Sequence, residues 1–87
     1  MRVRVVITGR SYHAMSELPD EITLPGTATV DDALALLADR LPTEQPHFPA
    51  SCLVAVSGEH LGTVANHQTR QLADGDELIL ITPVAGG

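Results

Sequence analysis

The residues with the clearest potential for chemistry are the last five, Pro83, Val84, Ala85, Gly86 and Gly87. Gly86 and Gly87 have no side chains, so they could pass through a narrow channel in a partner and leave the Gly87 carbonyl open to attack. Pro83 would stiffen the start of this segment, and Val84 could occupy an apolar pocket. We expect these residues to form a flexible tail that inserts into a partner, although two glycines can also end a chain without any function.

The chemistry of such a tail would be that of its carboxylate. A terminal carboxylate is ionised at neutral pH and is a poor electrophile, so it must be activated before a nucleophile can attack it. Adenylylation would supply that activation, and a sulfur nucleophile could then displace AMP. The protein would be the carrier, and its partners would be the catalysts.

Other residues that often carry chemistry lack the spacing it requires. No pair of cysteines could bind zinc. Asp74, Asp76 and Glu77 lack the twelve-residue loop of a calcium site and indicate a solvated turn. Cys52 begins an apolar run and indicates a small core residue rather than a nucleophile. We predict no metal site, and the histidines have no ligand spacing that would assign them a role: they are His13, His47, His60 and His67.

The composition limits the kinds of partner and activity. The chain has 87 residues, a net charge of −6 and no lysine. This charge does not suit nucleic acid or anionic lipid, whereas it suits a basic protein partner or simply keeps a small domain soluble. A chain this short buries too little surface to enclose a deep active site of its own. No long apolar run indicates a membrane span or a signal peptide, so we expect a cytoplasmic protein.

The elements that must position the last five residues follow from hydrophobic periodicity. Strands are predicted over residues 2–8, 21–24, 52–57 and 77–82, with a shorter one at His60 and Leu61. Thr29 as N-cap and Asp32 three residues later predict a helix that Pro42 ends. Its apolar stripe consists of Val30, Leu34, Leu37 and Leu41.

The order of these elements predicts an α+β fold of the β-grasp type. In this ubiquitin-like fold a hairpin is followed by a crossover helix, and the last strand lies parallel to the first. The sheet would be mixed, with four to five strands and one main helix packed on one face. We expect residues 1–87 to form one such domain, with residues 83–87 as its tail.

The second face of the predicted sheet is also apolar. Leu53 and Ala55 in one strand, and Ile79 and Ile81 in another, alternate with residues that are equally apolar. A single helix covers only one face of a sheet, so the helix would leave these four residues uncovered. We interpret them as a partner-binding face, although loops such as 42–51 could cover them instead.

Three segments of the sequence resemble a known family. They are Thr29-Val30 at the start of the predicted helix, Leu72-Ala73-Asp74-Gly75-Asp76-Glu77-Leu78, and Pro83-Val84-Ala85-Gly86-Gly87. Together they are similar to the MoaD/ThiS family of ubiquitin-like sulfur-carrier proteins, and the resemblance covers nearly the whole chain.

The resemblance implies a cycle in which Gly87 reacts. An adenylyltransferase similar to ubiquitin-activating enzymes would use Mg-ATP to form an acyl-adenylate on Gly87, and a persulfide-bearing sulfurtransferase would convert it into a thiocarboxylate. The carrier itself would bind no cofactor stably. The ending resembles the branch that forms the small subunit of molybdopterin synthase, in which the tail enters the large subunit and the sulfur builds the dithiolene of the molybdenum cofactor.

The same chemistry has other uses. The sulfur could instead serve cysteine or thiamin biosynthesis or tRNA thiolation. A function of another class would be a ubiquitin-like modifier joined to the lysines of target proteins, or a β-grasp module that binds without covalent chemistry. The absence of lysine excludes lysine-linked chains built on this protein.

Overall fold

The computed structural model describes residues 1–9, 18–41 and 48–82. These residues form five strands and one α-helix. The elements are β1 (Arg2–Gly9), β2 (Glu21–Thr23), α1 (Val30–Ala38), β3 (Leu53–Val56), β4 (Glu59–Thr63) and β5 (Glu77–Thr82). The bounds of β5 are those predicted, and each of the other strands differs from its prediction by one or two residues at an end.

The five strands form one mixed sheet in the order β2-β1-β5-β3-β4. β1 pairs antiparallel with β2 and parallel with β5, and β3 pairs antiparallel with both β5 and β4. Between β1 and β5 the chain passes through β2, α1, β3 and β4, which provides the long connection that parallel pairing requires. This mixed sheet with one helix confirms the predicted β-grasp fold.

The helix begins where the sequence predicts and ends earlier. The Thr29 N–H donates to Asp32 Oδ2 at 2.9 Å, and the Asp32 N–H donates to Thr29 Oγ1 at 3.5 Å, which completes the capping box. α1 ends at Ala38, because the N–H groups of Arg40 and Leu41 bond to carbonyls three residues back and so form a tighter turn. Leu41 therefore lies beyond the helix. Within the described ranges, no helix has the length and hydrophobicity needed to cross a membrane.

The core joins α1 to one face of the sheet. Val30, Leu34 and Leu37 of the predicted helical stripe are buried, and Leu41 is partly buried and packs against the same core. The buried strand residues of this core are Val3, Val5, Ile22, Val54, Val56, Leu61, Leu78 and Leu80. Phe48 belongs to it as well, so the described end of the loop that follows the helix packs into the core.

Residues 64–72, whose sequence predicts no regular element, are held by contacts with distant residues. Backbone hydrogen bonds connect this segment to residues 28 and 30 at the start of α1. His67 Nε2 lies 2.8 Å from Asp31 Oδ1, and the Thr69 hydroxyl donates to Asp31 Oδ2 at 3.2 Å. The segment thus ties the start of the helix to the chain that leads into β5.

Candidate functional site

β5 leads directly into residues 83–87, the predicted tail that ends at the reactive Gly87. Its last residue, Thr82, pairs with Gly9 of β1 and is only 3% exposed. The Thr82 hydroxyl donates a hydrogen bond to the Thr8 carbonyl oxygen at 3.0 Å. A buried hydroxyl with a partner stabilises the end of a strand, so the point from which the tail begins is fixed to β1. The tail residues themselves, Pro83, Val84, Ala85, Gly86 and Gly87, lie outside the described residues.

The face of the sheet away from the helix, here called the open face, is apolar beside this strand end. By register, Leu53 lies opposite Ile81, and Ala55 lies opposite Ile79. Leu53 is 40% exposed, and the two isoleucines are partly buried. Ala55 is only 4% exposed, which corrects the expectation of an exposed residue. The reason is that its single methyl group lies between two strands, opposite Ile79 and His60.

β1 adds an apolar residue beyond the four predicted for this face. Val6 pairs with Ile79 and is partly buried. Because Val3 and Val5 face the core, alternation along the strand assigns Val6 to the open face. The alternation is visible in the sequence, but the neighbour of Val6 is known only from the strand order. We call the resulting group the apolar patch: Val6, Leu53, Ala55, Ile79 and Ile81.

The other end of the open face is charged. Arg4 pairs in register with Glu21 of β2 and with Glu77 of β5, and Arg2 lies two residues before it on the same strand face. Arg2 Nε is 3.9 Å from Glu21 Oε1, and Arg4 Nη1 is 3.9 Å from Glu77 Oε2. The open face therefore runs from charged residues near the start of β1 to the apolar patch beside the strand end that leads to Gly87.

The acidic residues before β5 stabilise a turn. Asp76 accepts hydrogen bonds from the Ser57 hydroxyl at 2.9 Å and from the Ala73 N–H at 2.8 Å. Asp74 accepts one from the backbone N–H of Arg2 at 2.8 Å. The carboxylates are thus used within the protein, as expected for a turn. Among the residues the structure describes, no group of three or more His, Cys, Asp and Glu is arranged to hold a metal ion.

Cys52 lies in the core rather than at a reactive surface. Its side chain is fully buried, and this burial raises the pKa of the thiol to about 11. The thiol is therefore protonated at neutral pH, whereas the thiolate is the nucleophilic form. Cys52 is the small core residue that the sequence predicted.

Two histidines lie within the described residues, and their surroundings differ. His60 is exposed on the open face. His67 is partly buried, with Nδ1 2.9 Å from the Thr63 carbonyl oxygen and Nε2 2.8 Å from Asp31 Oδ1, so it links β4 to α1. The other two, His13 and His47, lie outside the described residues.

A family model matches most of the chain. It is the model of the ThiS family, and the match covers residues 5–87. The matched range includes the whole helix, most of β1, all of the other strands and the five residues of the predicted tail. Comparisons with curated proteins and with solved structures returned no match.

Proposed function

We propose, on the basis that this chain belongs to the ThiS family, that it carries sulfur on the carboxylate of Gly87. Membership of the family supports a sulfur-carrier role in general, with an adenylyltransferase and sulfur-transfer proteins as the kinds of partner. The observation that carries the proposal for Gly87 is that the family match extends through the whole tail to that residue.

The first step makes the Gly87 carboxylate reactive. A carboxylate oxygen attacks the α-phosphorus of ATP, the bond to pyrophosphate breaks, and an acyl-adenylate forms. The adenylyltransferase supplies Mg-ATP and the catalytic groups, and the carrier supplies the carboxylate. Gly86 and Gly87 suit this step because neither has a Cβ that would obstruct the approach to the carbonyl.

The second step exchanges AMP for sulfur. The terminal sulfur of a persulfide on a sulfurtransferase attacks the acyl carbon, and AMP leaves with the bonding electrons. The product is an acyl disulfide that joins Gly87 to the sulfurtransferase. A thiol then attacks the sulfurtransferase sulfur of this disulfide, which releases the thiocarboxylate of Gly87 and leaves a disulfide between the thiol and the sulfurtransferase. The carrier is a co-substrate in both steps rather than a catalyst.

The fold contributes the placement of the tail. Five residues of extended chain span at most about 17 Å, and they begin at Thr82, which is held to β1. In a complex with a partner bound to the apolar patch, the tail would therefore begin beside the bound surface. In this proposal the patch binds the partner through Leu53, Ile79 and Ile81, with Ala55 buried between the strands. Pro83, Val84, Ala85 and Gly86 enter the partner's active site.

For the pathway, we propose that the sulfur serves molybdopterin synthesis, with this chain as the small subunit of molybdopterin synthase. The support is the resemblance of the ending Pro83-Val84-Ala85-Gly86-Gly87 to that branch. The thiocarboxylate would enter the large subunit and give its sulfur to the dithiolene of the molybdenum cofactor.

Activation is tested by ATP–pyrophosphate exchange with purified adenylyltransferases of the ubiquitin-activating type. We expect exchange that depends on the carrier, and none with a variant extended by one residue after Gly87, since the extension removes the reacting carboxylate and leaves the fold unchanged. Exchange with the extended variant at the rate of the unaltered carrier would contradict the proposed site.

The pathway is tested by supplying the thiocarboxylate form to a molybdopterin synthase large subunit and its precursor. Molybdopterin formation would support the proposed branch. Sulfur transfer only in assays of cysteine, thiamin or tRNA thiolation would assign a different branch. Adducts on the lysines of other proteins would indicate a protein modifier.

A further inference from the structure

Thr82 is polar at a position where the pattern of β5 predicts an apolar residue. Every second residue of β5 is buried, and Thr82 follows Leu78 and Leu80 on the buried side of the strand. Among the residues that the structure describes, it is the only polar or charged residue that is buried. A buried hydroxyl loses its contacts with water, so a polar residue at this position requires a specific partner within the protein.

Thr82 is linked twice to β1 at the end of the sheet. The ladder between β3 and β5 ends at Leu53 and Ile81. The ladder between β1 and β5 continues for one more residue, to Gly9 and Thr82. At this last pair the Thr82 hydroxyl donates to the Thr8 carbonyl oxygen at 3.0 Å. The side chain thus adds a second link to β1 at the residue where β5 has passed the end of β3.

The hydroxyl link lies immediately before the residues that must reach the partner's active site. In the proposed function the partner binds the apolar patch and Gly87 reacts, so the chain between them must adopt one conformation in the reacting complex. Ordering a free residue costs conformational entropy. A fixed Thr82 limits this cost to residues 83–87, whereas opening of the end of β5 would add Thr82 to the residues that must be ordered.

We propose that Thr82 is a positioning residue for the activation of Gly87, and that its hydroxyl holds the start of the tail in place while the carboxylate reacts. Its effect is on the reaction of the bound carrier rather than on binding. The reason is that Ile79 and Ile81 of the apolar patch are each paired with β1 on one side and with β3 on the other, so they keep their places without the hydroxyl. This inference rests on the proposed function, because the reaction that Thr82 assists is the adenylylation proposed above.

The test measures kcat and the KM for the carrier in ATP–pyrophosphate exchange, with an adenylyltransferase that activates the unaltered protein. Thr82→Val removes the hydroxyl and keeps the shape of the side chain, whereas Thr82→Ser keeps the hydroxyl. Thr29→Ala is the matched control, because it also removes a hydrogen-bonded hydroxyl but lies in the cap of α1 rather than in the sheet. Urea unfolding shows that each variant is folded in the assay and compares the stability that each one loses.

We expect Thr82→Val to lower kcat about fivefold, the factor that corresponds to the net contribution of one hydrogen bond, and to change KM by less than about twofold. Thr82→Ala, which also lacks the hydroxyl, should lower kcat at least as much. Thr82→Ser should keep kcat within about twofold of the unaltered value. Thr29→Ala should keep both constants within about twofold, because a small domain that loses one helix cap stays almost entirely folded.

Four results would overturn the inference alone. The first is a kcat of Thr82→Val equal to that of the unaltered protein, and the second is a raised KM with an unchanged kcat, which would assign Thr82 to the support of the binding surface. The third is a kcat of Thr82→Ser as low as that of Thr82→Val, because the hydroxyl would then not be the cause. The fourth is an equal fall in kcat with Thr29→Ala, because lost stability would then explain the effect. Absence of exchange with the unaltered protein would instead overturn the proposed function, and the inference with it.

Discussion

Gly62 of β4 provides a severe test of how the edge of the sheet is packed. Its φ is +134°, a backbone conformation that residues with a side chain rarely adopt. A Cβ built at this position would overlap the Asn66 carbonyl oxygen and lie 2.9 Å from His67 Cα. Both neighbours are backbone atoms, so Gly62→Ala requires a shift of β4 or of the segment that folds back against it.

The cost of Gly62→Ala can be worked out from these contacts. The backbone strain contributes about 1–3 kcal/mol. A shift of residues 66–67 would also disturb the hydrogen bond from the Gln68 N–H to the Leu61 carbonyl oxygen and the contact between His67 and Asp31, at about 1 kcal/mol each. We expect the free energy of unfolding to fall by about 3–5 kcal/mol, a large part of the stability of a small domain.

Urea unfolding followed by far-ultraviolet circular dichroism measures this loss, and two other glycines serve as controls. Gly26→Ala adds a Cβ with no atom within 4 Å and no positive φ, so its stability should stay within about 1 kcal/mol of the unaltered protein. Gly75→Ala has the same open space but a φ of +88°, so it isolates backbone strain at about 1–2 kcal/mol. If Gly62→Ala is no more destabilising than Gly75→Ala, the close approach of β4 to residues 66–67 is refuted.

Three further predictions concern single side chains. The pKa of Cys52 is about 11 in the folded protein against an ordinary 9.0, so the unfolded state loses the proton first as pH rises. Stability should therefore fall between pH 9 and 11 by on the order of 2 kcal/mol more in the unaltered protein than in Cys52→Ala; parallel pH profiles would contradict this. Thr29→Ala removes the acceptor of the Asp32 N–H and should cost about 1 kcal/mol in urea unfolding, whereas Thr29→Ser should stay close to the unaltered protein; equal losses would argue against the cap. Thr82→Val removes the hydroxyl that bonds to the Thr8 carbonyl and should cost about 1 kcal/mol, with less effect from Thr82→Ser. Amide exchange at the end of β5, measured by NMR, should become faster in Thr82→Val, and unchanged exchange would count against the role of this hydroxyl.

Features set by residues close in sequence were predictable. Thr29 and Asp32 are three residues apart and fix the start of the helix, and the alternation of residues 77–82 defines β5. Features set by distant residues were not predictable. The contact between His67 and Asp31, which are 36 residues apart, organises residues 64–72, where no local pattern exists. The helix ends before Leu41 because a tighter turn follows it. The spacing of apolar residues in the sequence does not distinguish an α-helix from such a turn.

The candidate site also combines features that the sequence predicts with features that depend on the order of the strands. Alternation in the sequence places Leu53, Ile79 and Ile81 on the face away from the helix. The burial of Ala55 depends on its neighbours in two other strands, and the inclusion of Val6 depends on the parallel pairing of β1 with β5. The strand order also brings Arg4 of that face beside Glu21 and Glu77. Sequence alone predicts which face each residue of a strand occupies, and the order of the strands decides which residues meet there.

The most direct test of the central claim is the intact mass of the carrier after incubation with Mg-ATP, a competent adenylyltransferase, a persulfide-bearing sulfurtransferase and a thiol. We predict a mass increase equal to one sulfur replacing one oxygen, with fragmentation placing the change on Gly87 and with no change when ATP is omitted. If the adenylyltransferase and the sulfurtransferase act on another carrier but leave the mass of this one unchanged, or if the sulfur is found on another residue such as Cys52, the carrier role of Gly87 is contradicted.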